Sequence, residues 1–240
     1  MSLPVINSPT HELEVPSTKD KIKYRPFLVN EEKILLLALE MSEEAPEAMI
    51  EAVKQIISNC TFEKIDTDKL ALFDLEYIFL RIRAKSVGEI AKIKVLSPDD
   101  EETYVEVEIP LEEVRVKFND EHTNDIKLSD DIGVIMKYPQ YKDIPQQTNG
   151  AEKPSEIETA FEMIKGCVSS IYEGETIHER VDFSDEELDT FIKSLGGDQF
   201  QALQQFFITM PKLSHEVKFK NPKTKKQNKV TLEGLQSFFG

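Results

Sequence analysis

The sequence predicts an α+β fold of two related helix–β-hairpin units, with buried helices and short antiparallel sheets, and three observations carry that expectation. The stretch Asp68–Lys94 is apolar on almost every side from Leu70 to Ile82, apart from Asp74, Glu76, Arg81 and Arg83, and then becomes an alternating strand. Asp198–Lys220 makes the same change from helix to strand. Each strand then enters a hairpin with a proline in its tip, Ser97-Pro98 in one and Asn221-Pro222 in the other.

In chain order, residues 1–20 hold Pro4, Pro9 and Pro16 among polar residues and predict an extended arm. Lys21–Val29 alternates as an edge strand would, because Pro26 has no N–H for a ladder. Asn30 then caps a helix with Glu31 and Glu32 in its first turn, and the continuous apolar run Ile34–Leu39 predicts burial all round. Pro46 opens the next helix, whose face is Met49, Ile50, Val53, Ile56, Ile57 and Cys60. The central helix follows, ended by Ser86-Val87-Gly88, and Ile90–Val95 pairs with Tyr104–Ile109 across the acidic tip Ser97–Glu102.

Leu111–Phe118 is a strand or short helix, Asn119–Asn124 a polar break, and Ile126–Tyr138 a strand pair or extended approach. Tyr138–Pro154 is a long exposed loop. Ile157, Phe161, Ile164, Val168 and Ile171 form the next amphipathic helix face, beside Cys167. Ser184 caps a further helix with Glu187 as its capping-box partner, and Gly196-Gly197 ends it. The second buried helix runs Asp198–Met210 up to Pro211. Strands His215–Lys220 and Lys229–Leu232 flank a basic tip, and Leu235, Phe238 and Phe239 form an apolar patch in the last turn. The expected units are an arm at 1–20, a first α+β unit at 21–118, a linker with a strand and Pro-rich loop at 119–155, and a second α+β unit at 156–240.

The halves correspond in order: Ile50, Ile57 and Cys60 answer to Ile157, Ile164 and Cys167 at one constant offset, the signature of an internal duplication. One tip is then acidic, Asp99, Asp100, Glu101 and Glu102, and its counterpart basic, Lys223, Lys225 and Lys226. Opposite tips suit pairing with a neighbouring copy in a homo-oligomer or larger assembly; two solvated tips are the alternative, since exposed ion pairs contribute little.

The chain has 240 residues, 31% of them charged, and a formal net charge of −16, which repels nucleic acid and anionic membrane and favours basic protein partners. No apolar run approaches the roughly 20 residues of a membrane span, and no signal peptide is evident. The 9 glycines form no phosphate loop, and His11, His122, His178 and His215 share no metalloprotease spacing. The hairpin tips have the shape of zinc-ribbon knuckles, but Ser97, Pro98, Asn221 and Pro222 stand where thiolates are needed. Cys60 and Cys167 lie on apolar helix faces as inert thiols in a reducing cytoplasm. No catalytic, cofactor-binding or metal site is expected.

The phrases IKYRPFLVNEEKILLLALE, FDLEYIFLRIRAKSVGEI and FFITMPKLSHEVKFKNPKTKK, with the ending LEGLQSFFG, resemble the T4-type bacteriophage baseplate hub subunit, regarded as a hub assembly protein of contractile-tailed phages. The resemblance spans roughly residues 3–110 and 156–240. It implies a non-enzymatic late protein of the virus tail, which builds the central hub of the baseplate by contacts with other hub proteins. It implies action in the host cytoplasm during virion assembly, after which the chain either stays in the tail or leaves. Competing readings are a hub-associated cell-wall-degrading enzyme whose acid is one of the glutamates, and a free-standing protein-binding module.

Overall fold

The computed structural model describes residues 8–41, 46–144 and 155–238. Among the described residues the chain forms six α-helices and eleven strands. In order these are β1 (His11–Glu14), β2 (Lys21–Tyr24), α1 (Val29–Met41), α2 (Pro46–Cys60), α3 (Leu72–Ser86), β3 (Ile90–Leu96), β4 (Tyr104–Pro110), β5 (Arg115–Lys117), β6 (Asp125–Lys127) and β7 (Ile132–Met136). Then follow α4 (Glu156–Cys167), β8 (Val168–Glu173), β9 (Thr176–Glu179), α5 (Asp185–Lys193), α6 (Gly197–Thr209), β10 (Lys212–Lys220) and β11 (Gln227–Glu233). Short helices with antiparallel sheets make this an α+β chain.

The chain divides into two compact units, one of residues 1–117 with 212–240 and one of residues 118–211. The expected unit at 156–240 therefore does not form as such. Its last strands leave it: β10 pairs with β5 from Lys212↔Lys117 to Ser214↔Arg115, and β11 extends that sheet. The helices of the expected second unit stay in the inserted one, where α4 runs directly into the β8–β9 hairpin. Its expected linker contributes β6 and β7 to a four-stranded sheet, β6-β7-β8-β9.

In the first unit α3 is the centre. Ile78, Phe79, Leu80 and Ile82 are fully covered, and each contributes about 1.5–3 kcal/mol by leaving water. Against α3 pack the predicted face of α2, Val53, Ile56, Ile57 and Cys60, and the inner residues Ala91, Ile93, Val95, Val107 and Ile109 of the β3–β4 hairpin. Residues 8–20 are not a free arm, because β1 pairs with β2 and Leu13 and Val15 enter this core; residues 1–7 lie outside the described residues.

α1 starts earlier than the Asn30 cap predicts, and Glu31 reaches back to the Leu28 N–H at 2.8 Å. The helix is also not buried all round. It covers Glu31, Leu35 and Ala38 and leaves Leu36 and Leu37 exposed. Glu31 is buried because Arg25 grips it with two bonds of 3.1 Å and the Asn59 amide adds a third at 3.2 Å. Hydrogen bonds from Arg25 and Leu28 outweigh the upward effect of burial and hold this carboxyl below the usual range.

The second unit has its own core of Val134, Met136, Ile164, Cys167, Val168, Leu188, Leu203 and Phe206. Here α4 stops at Cys167, so Val168 and Ile171 belong to β8 and not to a helix face. Ser184 and Glu187 form the predicted capping box of α5, but that helix ends at Ser194, and Gly196 caps α6 instead. α6 is amphipathic rather than buried: only Leu203 and Phe206 are fully covered, and Ile208 is exposed. In the sheet, the Tyr172 ring lies across Gly133 to reach Asp125 at 2.8 Å, and a Cβ there would stand 2.2 Å from the phenol oxygen.

Candidate functional site

The β3–β4 and β10–β11 tips fold into the same turn, as does the β1–β2 tip, where the Lys19 N–H donates to the Val15 carbonyl at 2.9 Å. In Ser97–Glu101 the Glu101 N–H donates to the Ser97 carbonyl at 2.9 Å, and in Asn221–Lys225 the Lys225 N–H donates to the Asn221 carbonyl at 2.9 Å. Proline in second place presets the turn, and Glu101 and Lys225 close it at φ 53° and 62°. Short polar side chains brace each loop. Asp100 accepts from the Thr103 hydroxyl at 2.6 Å and its N–H at 3.1 Å, and Asn221 Oδ1 accepts from the N–H groups of Lys223 and Thr224 at 2.8 and 3.2 Å.

The acidic and basic tips meet inside one chain. Asp99 Oδ1 accepts from Asn221 Nδ2 at 2.9 Å and Asn228 Nδ2 at 2.7 Å, and Oδ2 accepts from the Thr224 hydroxyl. Lys223 Nζ adds an ion pair with Glu102 at 2.7 Å. The Thr224 bond first, then those of the two amides, draws the Asp99 carboxyl below its ordinary range. So the acidic and basic tips do pair, but within the chain. These bonds occupy Asp99, Glu102 and Lys223 within the chain, while Asp100 serves its own loop. Glu101, Lys225 and Lys226 are exposed at the tips. Where a ribbon's knuckles would be joined by metal, a carboxylate between amides and a hydroxyl makes the link.

The expected C-terminal patch is core. Leu235 and Phe238 are buried against α3, and Phe239 lies outside the described residues. Four charged residues that interrupt the apolar surface of α3 explain how distant segments are held. Asp74 accepts from the Ser17 N–H at 3.0 Å and from its hydroxyl. Glu76 accepts from the Leu235 N–H at 3.1 Å. Arg81 donates to the carbonyls of Leu111, at 2.8 Å, and Val114, and Arg83 donates to the Phe238 carbonyl at 3.3 Å. Each of these charged groups bonds backbone of a segment distant in sequence.

A family model described as T4 bacteriophage base plate protein matches residues 8–240. The chain belongs to this family. No curated protein and no solved structure matches it.

For a T4-type base plate protein the informative question is which surfaces remain after the core has used its polar groups. The exposed apolar side of α1 is such a surface, and sequence reasoning missed it because an unbroken apolar run looks the same whether one side or all sides are covered. The chemistry of the buried groups is equally plain. Burial pushes the thiols of Cys60 and Cys167 up to about 12, which keeps them as inert thiols. Among the described residues, the carboxyls pushed upward are Asp74 and Glu76, both by burial, and both are bonded to backbone N–H groups of the first unit. In the second unit a cavity of about 320 Å³ is lined by Glu173, His178 and Glu187 among mainly apolar residues. Glu187 is tied to the Ser184 N–H there at 2.8 Å, and that bond draws its carboxyl downward, opposite to what a general acid needs.

Proposed function

We propose that this T4-type base plate protein is non-enzymatic and helps build the central hub of a contractile-tail baseplate through protein–protein contacts, acting in the host cytoplasm during assembly. The observation that carries the reading is the family match over residues 8–240, which takes in both compact units. Its support is that the polar residues of the core are spent on holding chain segments: the Asp99 junction, the four charged residues of α3 and the Arg25–Glu31 pair. A surface with net charge −16 favours partners with basic contact faces. The hub, rather than another part of the baseplate, is supported by the resemblance of FDLEYIFLRIRAKSVGEI and FFITMPKLSHEVKFKNPKTKK to the hub subunit.

Quantitative mass spectrometry of purified virions and of tail assembly intermediates tests the hub role. The chain is expected to co-purify with hub proteins in the intermediates; its absence from both would overturn the reading. A lysis assay on purified cell wall separates the enzymatic alternative. No lysis is expected, and lysis abolished by a single Glu→Gln change would show a hydrolase.

A further inference from the structure

We propose that α1 is a self-association helix, through which two copies of this chain pair antiparallel about a two-fold axis between Leu36 and Leu37. On its outer side Val29 is 82% exposed, Leu36 54%, Leu37 48% and Met41 54%, while the inner side is spent on Glu31, Leu35 and Ala38. Single exposed leucines are ordinary on protein surfaces, but a row of them along one helix marks a contact.

Charge complementarity names the occupant. Lys33 precedes the Leu36–Leu37 midpoint by as much as Glu40 follows it, and both lie on the exposed side. An antiparallel pair therefore sets Lys33 against Glu40 of the other copy twice, with Leu36 against Leu37 between them. A parallel pair would set Lys33 against Lys33 and Glu40 against Glu40, which the charges disfavour. The helix of 13 residues is about 20 Å long, so the interface is small and its affinity modest. With −16 on each copy, long-range repulsion opposes the dimer until salt screens it.

Self-association goes beyond the hub role and is measured on the purified full chain alone. Sedimentation equilibrium at about 0.15 M salt, where the screening length is near 8 Å, is expected to show a reversible monomer–dimer equilibrium. Leu36→Asp is expected to leave circular dichroism unchanged and to abolish the dimer. Lys33→Glu and Glu40→Lys are each expected to weaken it about fivefold or more, and the double reversal to restore it to within about twofold. A wild-type chain that stays monomeric, a Leu36→Asp chain that still dimerises, or a double reversal no tighter than its single parents would each overturn the proposal.

Discussion

Asp99 receives donor hydrogens from Asn221, Asn228 and Thr224, and those bonds are strongest while the carboxylate is ionised. Its pKa in the folded chain therefore lies below the unfolded value of about 3.9. The unfolded chain binds the proton more readily, so the stability from this site is fully present above that value and is lost as pH falls through the folded pKa. Asp99→Asn keeps an acceptor oxygen for the two amides but removes the charge and puts an NH2 where Oδ2 accepts from the Thr224 hydroxyl, so it is expected to lower the melting temperature at neutral pH. It should also lose less stability than wild type as the pH is taken below about 4. Matching acid profiles for the two proteins would show that the junction is not the acid-sensitive link. The sequence displayed the opposite charges of the tips but not their meeting, because Asp99 and Asn228 are distant in the chain and an acidic tip is by itself a solvated feature.

Among the elements, α3 depends on polar anchors as much as on its apolar surface. Arg81 bonds the carbonyls of Leu111 and Val114 and lies 4.6 Å from the Tyr77 ring centre. Arg81→Met keeps the packing volume but leaves the buried Leu111 carbonyl without its donor, while the Val114 carbonyl keeps its bond from Arg115 at 2.9 Å, so a loss of about 1–3 kcal/mol is expected in urea unfolding. Arg81→Lys should recover little of it, since an ammonium cannot present the planar fork that reaches both carbonyls. A loss below about 0.5 kcal/mol for Arg81→Met would show that water replaces the guanidinium without cost. The helices themselves were legible where a local signal decides them: the apolar face of α2, the Ser184–Glu187 box of α5, and the Val87–Gly88 end of α3. The end of α4 was not, because Val168 and Ile171 continue a helical spacing while their β-branched side chains suit the strand they join. Likewise α1 and α6 carry more apolar residues than their partners cover.

At the scale of the whole molecule, the chain leaves the first unit at Lys117 and re-enters it at Lys212, and these residues are direct partners in the antiparallel β5–β10 pair. Local periodicity could not show this, because pairing between strands so far apart in sequence leaves no mark in either one. The geometry makes residues 118–211 an insertion at the position of a hairpin turn. Antiparallel partners lie only about 4.5–5.5 Å apart, a gap that a two-residue turn closes. Replacing residues 118–211 with Asn-Gly is therefore expected to give a first unit that keeps its core of α2, α3 and the two hairpins and unfolds in one cooperative transition. The excised segment 118–211, with its separate core around Val134, Ile164 and Phe206, is expected to fold as well, with lower stability because a smaller domain buries a smaller share of its surface. Thermal unfolding of both pieces, with dispersed amide resonances as the sign of a fixed fold, checks this. A first unit without a cooperative transition would mean that the insertion is a folding partner of the body that carries it.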